Sequence, residues 1–485
     1  MIIIVRIILK ALLLALIGIF NYQISYGQLL NLHFEEIDEQ GQLRSWTLNN
    51  QQQDGSKLTL DSLDKASGKY SLKLSKSGSS KNIFAVQFTA FTVEKVKKMK
   101  LRVKVKSALP QIQANLYMSF MDEAKKPIGN VMKPVLLDTM MKNEWQDISM
   151  FFVVSPDMKF MNLFLNLSGN GEINFDDLQL IEVTEAASTQ IASIAQEAIE
   201  KIKKNAIVSD SVDWKDLEQK LPLNLLGLHS EEHKVEAVQF ILSYLRKAGD
   251  LHSHYYTKER FDNYRHKPVQ LQNANNTLNF ATGKMLPSQI AYVKVPRFGS
   301  LHAESEQAYA DTLNKIVLDL MKSGPKGWIV DLSENSGGNM YPMIAGLYAL
   351  IGDGKVLSFE NKQGSNSLYM NKGQFGRVKL SKITEQIASQ KIACLMSQMT
   401  ASSGEMTLIS LLGKPNTKSF GYPTAGLTSA NSFVELSDGS ALSLAGSYVR
   451  DRTDKIYRGS IQPDVLINAK TFEEVLAQLE NWILP

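Results

Sequence analysis

Near residue 183 the hydrophobic period of the chain changes, and this constrains its fold more than any single motif does. Between Leu29 and Glu182 apolar and polar residues alternate in short runs, as in Tyr70-Ser-Leu-Lys-Leu74, Leu101-Arg-Val-Lys-Val105 and Phe164-Leu-Asn-Leu167, with turn residues between them. A period of two places one face of each strand on a core and the other in water, so the segment reads as an all-β sandwich. From 184 to 255 the period becomes helical. Ser230 opens one helix with Glu231 and Glu232 behind it, Val235, Val238, Leu242 and Leu245 share a face, and Gly249 closes it. From Ile290 strands and helices alternate: Ala291-Tyr-Val-Lys-Val295, a helix through Ala308 to Met321, then Trp328-Ile-Val-Asp-Leu332 and a helix from about Met340. Parallel strands need such crossovers, so this part is read as α/β. The boundaries expected are 28–183 for the sandwich, 184–255 for a helical subdomain and 256–485 for the α/β core.

The first 27 residues stand outside that scheme. Arg6 and Lys10 lie among apolar residues, Ala11 to Phe20 is apolar throughout, and Ser25-Tyr-Gly27 puts a small residue ahead of Gln28. This is the outline of a cleaved signal peptide over 1–27, with an uncleaved membrane anchor as the alternative, and it places the protein in the periplasm or outside the cell. No cysteine near the cut accepts a lipid. The single cysteine, Cys394, falls inside an apolar strand, which excludes an intramolecular disulfide and argues against a thiol nucleophile. Of 53 basic residues, 51 remain beyond the signal segment against 49 acidic ones, and no basic run has interleaved aromatics, so nucleic acid is not implied. Two histidine pairs, His229 with His233 and His252 with His254, lack a third ligand at metal spacing, and neither a metal nor an organic cofactor is expected.

Thr400-Ala-Ser-Ser-Gly-Glu405 joins a short apolar strand, Ile392 to Met396, to a helical run, Met406 to Leu412. A serine there is either a helix cap, satisfying orphan amides, or a nucleophile on an elbow, where the same amides and the helix dipole stabilise an oxyanion. Strand 328–332 runs into Ser333-Glu-Asn-Ser-Gly-Gly-Asn339, whose glycines either make a plain tight turn or let backbone amides approach a ligand closely.

Six segments in order resemble the tail-specific (C-terminal processing) serine peptidase family, whose core has a crotonase-like fold. They are Gly249-Asp-Leu-His-Ser253, Ile290-Ala-Tyr-Val-Lys-Val-Pro296, Asp331-Leu-Ser-Glu-Asn-Ser-Gly-Gly338, Thr400-Ala-Ser-Ser-Gly-Glu405, Gly421-Tyr-Pro-Thr-Ala-Gly426 and Ile461-Gln-Pro-Asp464. The resemblance implies Ser402 as nucleophile and an oxyanion hole from the amides of Ser403 and Gly337, or of Gly338 in its place. The processing branch carries a lysine after the Pro-Thr-X-Gly loop. Here that place is Leu427, with Lys418 and Lys414 the nearest preceding lysines. The branch resembling tricorn cores and retinoid-binding repeats uses a histidine instead. His252 falls on that place, with His254 as the second candidate.

The acid that would orient the base is not placed by a motif: the matching position is about Tyr457, with Asp451 and Asp454 close by. Ser333 stands where relatives often carry arginine. Only about three dozen residues separate His254 from the strand at Ile290, too few for a PDZ domain of ~100 residues. The sandwich resembles carbohydrate-binding jelly rolls at Asn31-Leu-His-Phe-Glu35, Trp46, Trp145-Gln-Asp-Ile-Ser149 and Ile173-Asn-Phe-Asp-Asp-Leu178, which implies a glycan as partner. Asp176 and Asp177 are read as turn caps, with a structural cation as the alternative. The expected function is an exported serine peptidase acting on a peptide or protein substrate. The alternative is a non-catalytic peptide- or ligand-binding protein on the same scaffold.

Overall fold

The computed structural model describes residues 31–484 apart from 50–56, 78–82, 110, 139–142, 267–280, 384, 385, 388 and 470. The expected signal segment lies outside the described residues. The chain divides into two compact units: Met1–Ala186 with Lys220–Gly227, and Ala187–Gln219 with Leu228–Pro485.

The first unit contains strands β1 (Thr47–Asn49), β2 (Lys57–Asp61), β3 (Ser71–Lys76), β4 (Ile83–Ala90), β5 (Lys97–Lys106), β6 (Ala114–Met121), β7 (Pro127–Pro134), β8 (Gln146–Val154), β9 (Phe160–Leu167) and β10 (Gly171–Glu182). They form two antiparallel five-stranded sheets, β1-β4-β9-β6-β7 and β2-β3-β10-β5-β8. Alternation decides what each strand buries: Leu163, Leu165 and Leu167 of β9 are fully buried, as are Leu101, Val103 and Val105 of β5. Each such side chain contributes roughly 1.5–3 kcal/mol.

The other face of the first sheet carries aromatics. Phe164 of β9 pairs in register with Val86 and Tyr117. Its ring meets those of Phe84 and Tyr117 at 5.3 and 5.4 Å, and Phe88 stacks on Phe160 at 5.5 Å. On the same strand Asn162 lies between Phe160 and Phe164, and Asn166 follows Phe164. In the second sheet the fully buried Asp176 accepts from the amides of Ala66, Ser67 and Asp177, so it ties down the turn ahead of β3.

The second unit begins with helix α1 (Thr189–Asn205). Helix α2 (Trp214–Leu225) follows, and its last residues belong to the first unit, where Gly227 packs on Val183 and Phe151. The helices expected as one subdomain over 184–255 are therefore divided between the units. Helix α3 (Glu231–Lys247) has a capping box in which His233 Nδ1 accepts from the amides of His229 and Ser230, so this histidine pair closes a helix end.

Beyond it lie β11 (His254–Tyr256), α4 (Lys258–His266), β12 (Thr282–Met285), β13 (Ile290–Lys294), α5 (Ala303–Met321), β14 (Gly327–Asp331), α6 (Met340–Gly346), α7 (Tyr348–Ile351), β15 (Gly354–Asn361), β16 (Gly364–Met370), β17 (Gln374–Phe375), β18 (Val378–Lys379), β19 (Lys391–Met396), α8 (Ser403–Leu411), β20 (Thr417–Gly421), β21 (Ser429–Glu435), β22 (Ala441–Asp451), β23 (Ile456–Tyr457), β24 (Val465–Leu466) and α9 (Phe472–Ile483). Strands β12-β13-β14-β19-β20-β24 form a sheet that is parallel from β13 onward. An antiparallel sheet, β11-β22-β15-β16, has β21 and β23 also paired to β22. The central strands β14 and β19 are buried on both faces, which accounts for their uninterrupted apolar runs. Cys394 lies in that interior, where burial pushes its thiol up and leaves it unreactive.

Candidate active site

Strand β19 passes into α8 through an elbow at Ser402, which has φ 53° and ψ −121°. A serine at positive φ costs of order 1–3 kcal/mol and must be held from outside. Glu405, fully buried in the first helical turn, does this: Oε2 accepts from Ser402 N at 2.8 Å, while Oε1 accepts from Thr424 Oγ1 and from Gly426 N. Burial raises its pKa, and these hydrogen bonds oppose the rise. Thr400 pins the strand end by donating to Leu332 O at 2.9 Å and accepting from Ser397 N, and its carbonyl accepts from Ala425 N. Gly404 is required because a Cβ there would lie 2.3 Å from Asn335 O.

His252 reaches this elbow from the segment between α3 and β11. Asp250 Oδ1 accepts from the amides of His252 and Ser253 and closes the turn. The imidazole Nε2 then lies 2.9 Å from Ser402 Oγ, and Nδ1 lies 2.8 Å from Ser429 Oγ at the start of β21. Burial holds the imidazole well below its usual pKa, to about 4; neighbouring His254 adds to the fall and Asp250 opposes it. The ring is thus neutral at neutral pH. His254 is turned elsewhere, with Nδ1 on His252 O at 2.8 Å and Nε2 on Tyr256 OH at 3.2 Å.

Two expected roles need correction. Asp451 and Tyr457 do not orient His252. Asp451 accepts from Tyr457 OH at 3.0 Å and from Thr453 and Lys455 within its own turn, so the pair satisfies itself, and Ser429 holds Nδ1. Asp454 instead pairs with Lys355. Nothing in the sequence around Ser429 marks it; its place follows from the register of β21 on β22. The second correction is Gly337. Its φ of 96° and close approach to Ser402 require glycine, since a Cβ would sit 2.8 Å from both Ala401 O and Ser402 Cβ. Yet its N–H donates to Asn335 Oδ1 at 3.0 Å and is committed within the loop. Among the described residues the amides of Gly338 and Ser403 have no such acceptor, and Ser403 Oγ donates to Gly338 O at 2.7 Å, joining the two turns.

Neither lysine considered for a dyad reaches Ser402: Lys414 donates to the carbonyls of Leu350 and Ile351, and Lys418 lies over the Trp482 ring. Ser333 donates to Asp331 Oδ1 and supports its loop. Ser402, His252, Gly338 and Leu427 line one cleft of about 720 Å³. Among the described residues no three His, Cys, Asp or Glu side chains are grouped to hold a metal, and no helix is long and apolar enough to cross a membrane.

Comparison with known proteins gives this geometry a family. Residues 289–467 match the family model described as peptidase family S41, and residues 27–171 match a carbohydrate binding domain. The chain is 28% identical over 276 residues to the nisin-resistance protein of Lactococcus lactis subsp. lactis, covering 56% of this chain and 81% of that protein. A lipoprotein from Streptococcus agalactiae is 26% identical, covers 60% of this chain and 96% of its own, and superposes with a TM-score of 0.49. The photosystem II D1 C-terminal processing protease is 14% identical, with 61% and 98% covered and a TM-score of 0.42. The chain therefore combines an N-terminal carbohydrate-binding domain with a serine-type peptidase domain of family S41, the tail-specific protease family.

Proposed function

We propose that the second unit hydrolyses peptide bonds through an acyl-enzyme on Ser402, with His252 as general base and Ser429 as the group that orients it. The single observation carrying this reading is the 2.9 Å approach of His252 Nε2 to Ser402 Oγ across 150 residues of sequence. With Nδ1–H donated to Ser429 Oγ, the Nε2 lone pair faces the Ser402 hydroxyl. A serine hydroxyl is a weak nucleophile at its own pKa, and this contact removes its proton as Oγ attacks the carbonyl. The carbonyl oxygen becomes an oxyanion received by the amides of Ser403 and Gly338 at the start of α8, where the helix dipole adds to them. His252 returns the proton to the leaving amine, and water, deprotonated by the same ring, releases the acyl group. The parallel sheet with its crossover helices supports a crotonase-like core.

The first unit serves as a glycan-binding module in this reading. The support is the open face on which Phe84, Phe88, Phe160, Phe164 and Tyr117 alternate with asparagines, since sugar rings stack on aromatics and amides hydrogen-bond their hydroxyls. The protein acts outside the cytoplasm if the signal segment over 1–27 is cleaved.

A fluorophosphonate probe tests the peptidase reading. Wild type is expected to label, Ser402→Ala to lose labelling, and His252→Ala to label slower by about 10³-fold or more. Equal labelling of Ser402→Ala would overturn the assignment.

A further inference from the structure

Among the described residues the permanent charges lining the cleft are of one sign: it contains Arg260 and Arg297, with the neutral His252 and His254, and no aspartate or glutamate. Neither arginine makes an ion pair among the described residues, whereas Arg265 pairs with Glu435, Arg377 with Glu306 and Arg450 with Glu360.

Arg260 is held in place without a carboxylate. Arg260, on α4, stacks its guanidinium on the Tyr256 ring, 4.6 Å from the centroid. That contact occupies the face of the group and leaves its N–H edge for a ligand. Arg297, just beyond β13, has Nη2 3.4 Å from where a Cβ on Gly299 would lie, and Gly299 also lines the cleft. Both positive charges act on the Tyr256 hydroxyl, opposing the rise that burial gives its pKa, so the two guanidinia converge on one ring. From the base, the rings of His252 and His254 are 6.5 Å apart and those of His254 and Tyr256 5.1 Å, which brings the pair within a few residues of extended peptide, at ~3.3 Å each.

We infer that this cleft selects peptides bearing a carboxylate, which Arg260 and Arg297 bind a few residues from the bond presented to Ser402. Guanidinium matches carboxylate in a planar, two-pronged geometry, and two guanidinia without an acidic neighbour in the described lining raise the local concentration of acidic ligands. The position of the carboxylate relative to the scissile bond rests on the peptidase reading; the binding preference does not. The carboxylate belongs either to an acidic side chain or to the peptide's own C-terminus.

The test measures binding to the full-length Ser402→Ala protein, so it is independent of catalysis. Fluorescein-labelled peptides with an internal Glu and an amidated end are compared with their Gln isosteres, and neutral peptides with a free C-terminus are compared with their amides. We expect at least one carboxylate to tighten Kd by about three- to tenfold. Adding Arg260→Met and Arg297→Met abolishes that difference, and Arg260→Glu reverses it in favour of a Lys peptide. Which arm responds identifies the source. Equal affinity in both arms, or a preference untouched by the arginine substitutions in variants with unchanged melting curves, overturns the inference. Failure of the wild-type protein to label with fluorophosphonate would sink the peptidase reading alone.

Discussion

Replacing Ser429 with alanine removes the hydroxyl 2.8 Å from His252 Nδ1 and leaves that nitrogen the Ser429 backbone alone. Losing one such hydrogen bond costs about 0.5–1.5 kcal/mol of stability. The catalytic cost is separate. When His252 takes the Ser402 proton it becomes an imidazolium, and its hydrogen bond to Ser429 becomes charge-assisted, worth about 1.5–3 kcal/mol. The acylation rate constant should therefore fall roughly 10- to 150-fold. Ser429→Asp acts in the other direction on the base: a carboxylate within hydrogen-bond reach raises the histidine pKa by about 1–3 units. With His252 held at about 4 in the native protein, the acid limb of the rate profile should lie near that value and move up in Ser429→Asp. The second-order constant for fluorophosphonate labelling, measured from pH 3.5 to 8 beside urea denaturation of each variant, reads both effects. If Ser429→Ala labels at the wild-type rate, or Ser429→Asp leaves the acid limb in place, Ser429 does not orient the base. Asp451→Asn is the control, expected to lower the urea midpoint without shifting the limb.

Gly337→Ala places a Cβ 2.8 Å from Ala401 O and Ser402 Cβ at φ 96°; it should cost about 2–5 kcal/mol and suppress labelling, and a stable variant labelling normally would contradict the described packing. The His252 pKa, about 4 when folded against 6.5 in the unfolded chain, makes the unfolded state the stronger proton binder between those values. Stability should fall by up to about 3 kcal/mol as pH drops from 6.5 to 4, and His252→Asn, compared by urea titration, should lose that part of the slope. Phe160→Ala with Phe164→Ala should weaken retention on insoluble polysaccharide about tenfold or more while labelling at Ser402 stays unchanged; full retention would remove the aromatic face from glycan binding.

The strand period over 29–182 and the alternation after Ile290 were legible because each records which face of an element is buried, a property of consecutive residues. The small residues of the elbow were legible for a similar reason, since a turn between an apolar strand and an apolar helix needs them in a fixed local order, but only the family resemblance singled out Ser402 among them. Ser429 was not. It reaches His252 only through the pairing of β21 with β22, and no spacing within one segment encodes a pairing between segments. Asp451 and Tyr457 drew attention by lying beside a matched motif, but Tyr457 OH points at Asp451 and the two settle each other's hydrogen bonds. Gly337 illustrates a finer limit: its lack of a side chain is what the elbow requires, while the direction of its amide is decided by Asn335.

In the proposed mechanism the base, His252, lies 150 residues from the serine and 177 from its orienting hydroxyl in sequence. Contacts of that separation form only when the intervening chain has already closed its loops. A nascent chain that ends before β21 carries Ser402 and His252 but no Ser429, and a chain with α8 unformed has no elbow. On the proposed mechanism, proteolytic competence therefore requires folding to have brought all three segments together.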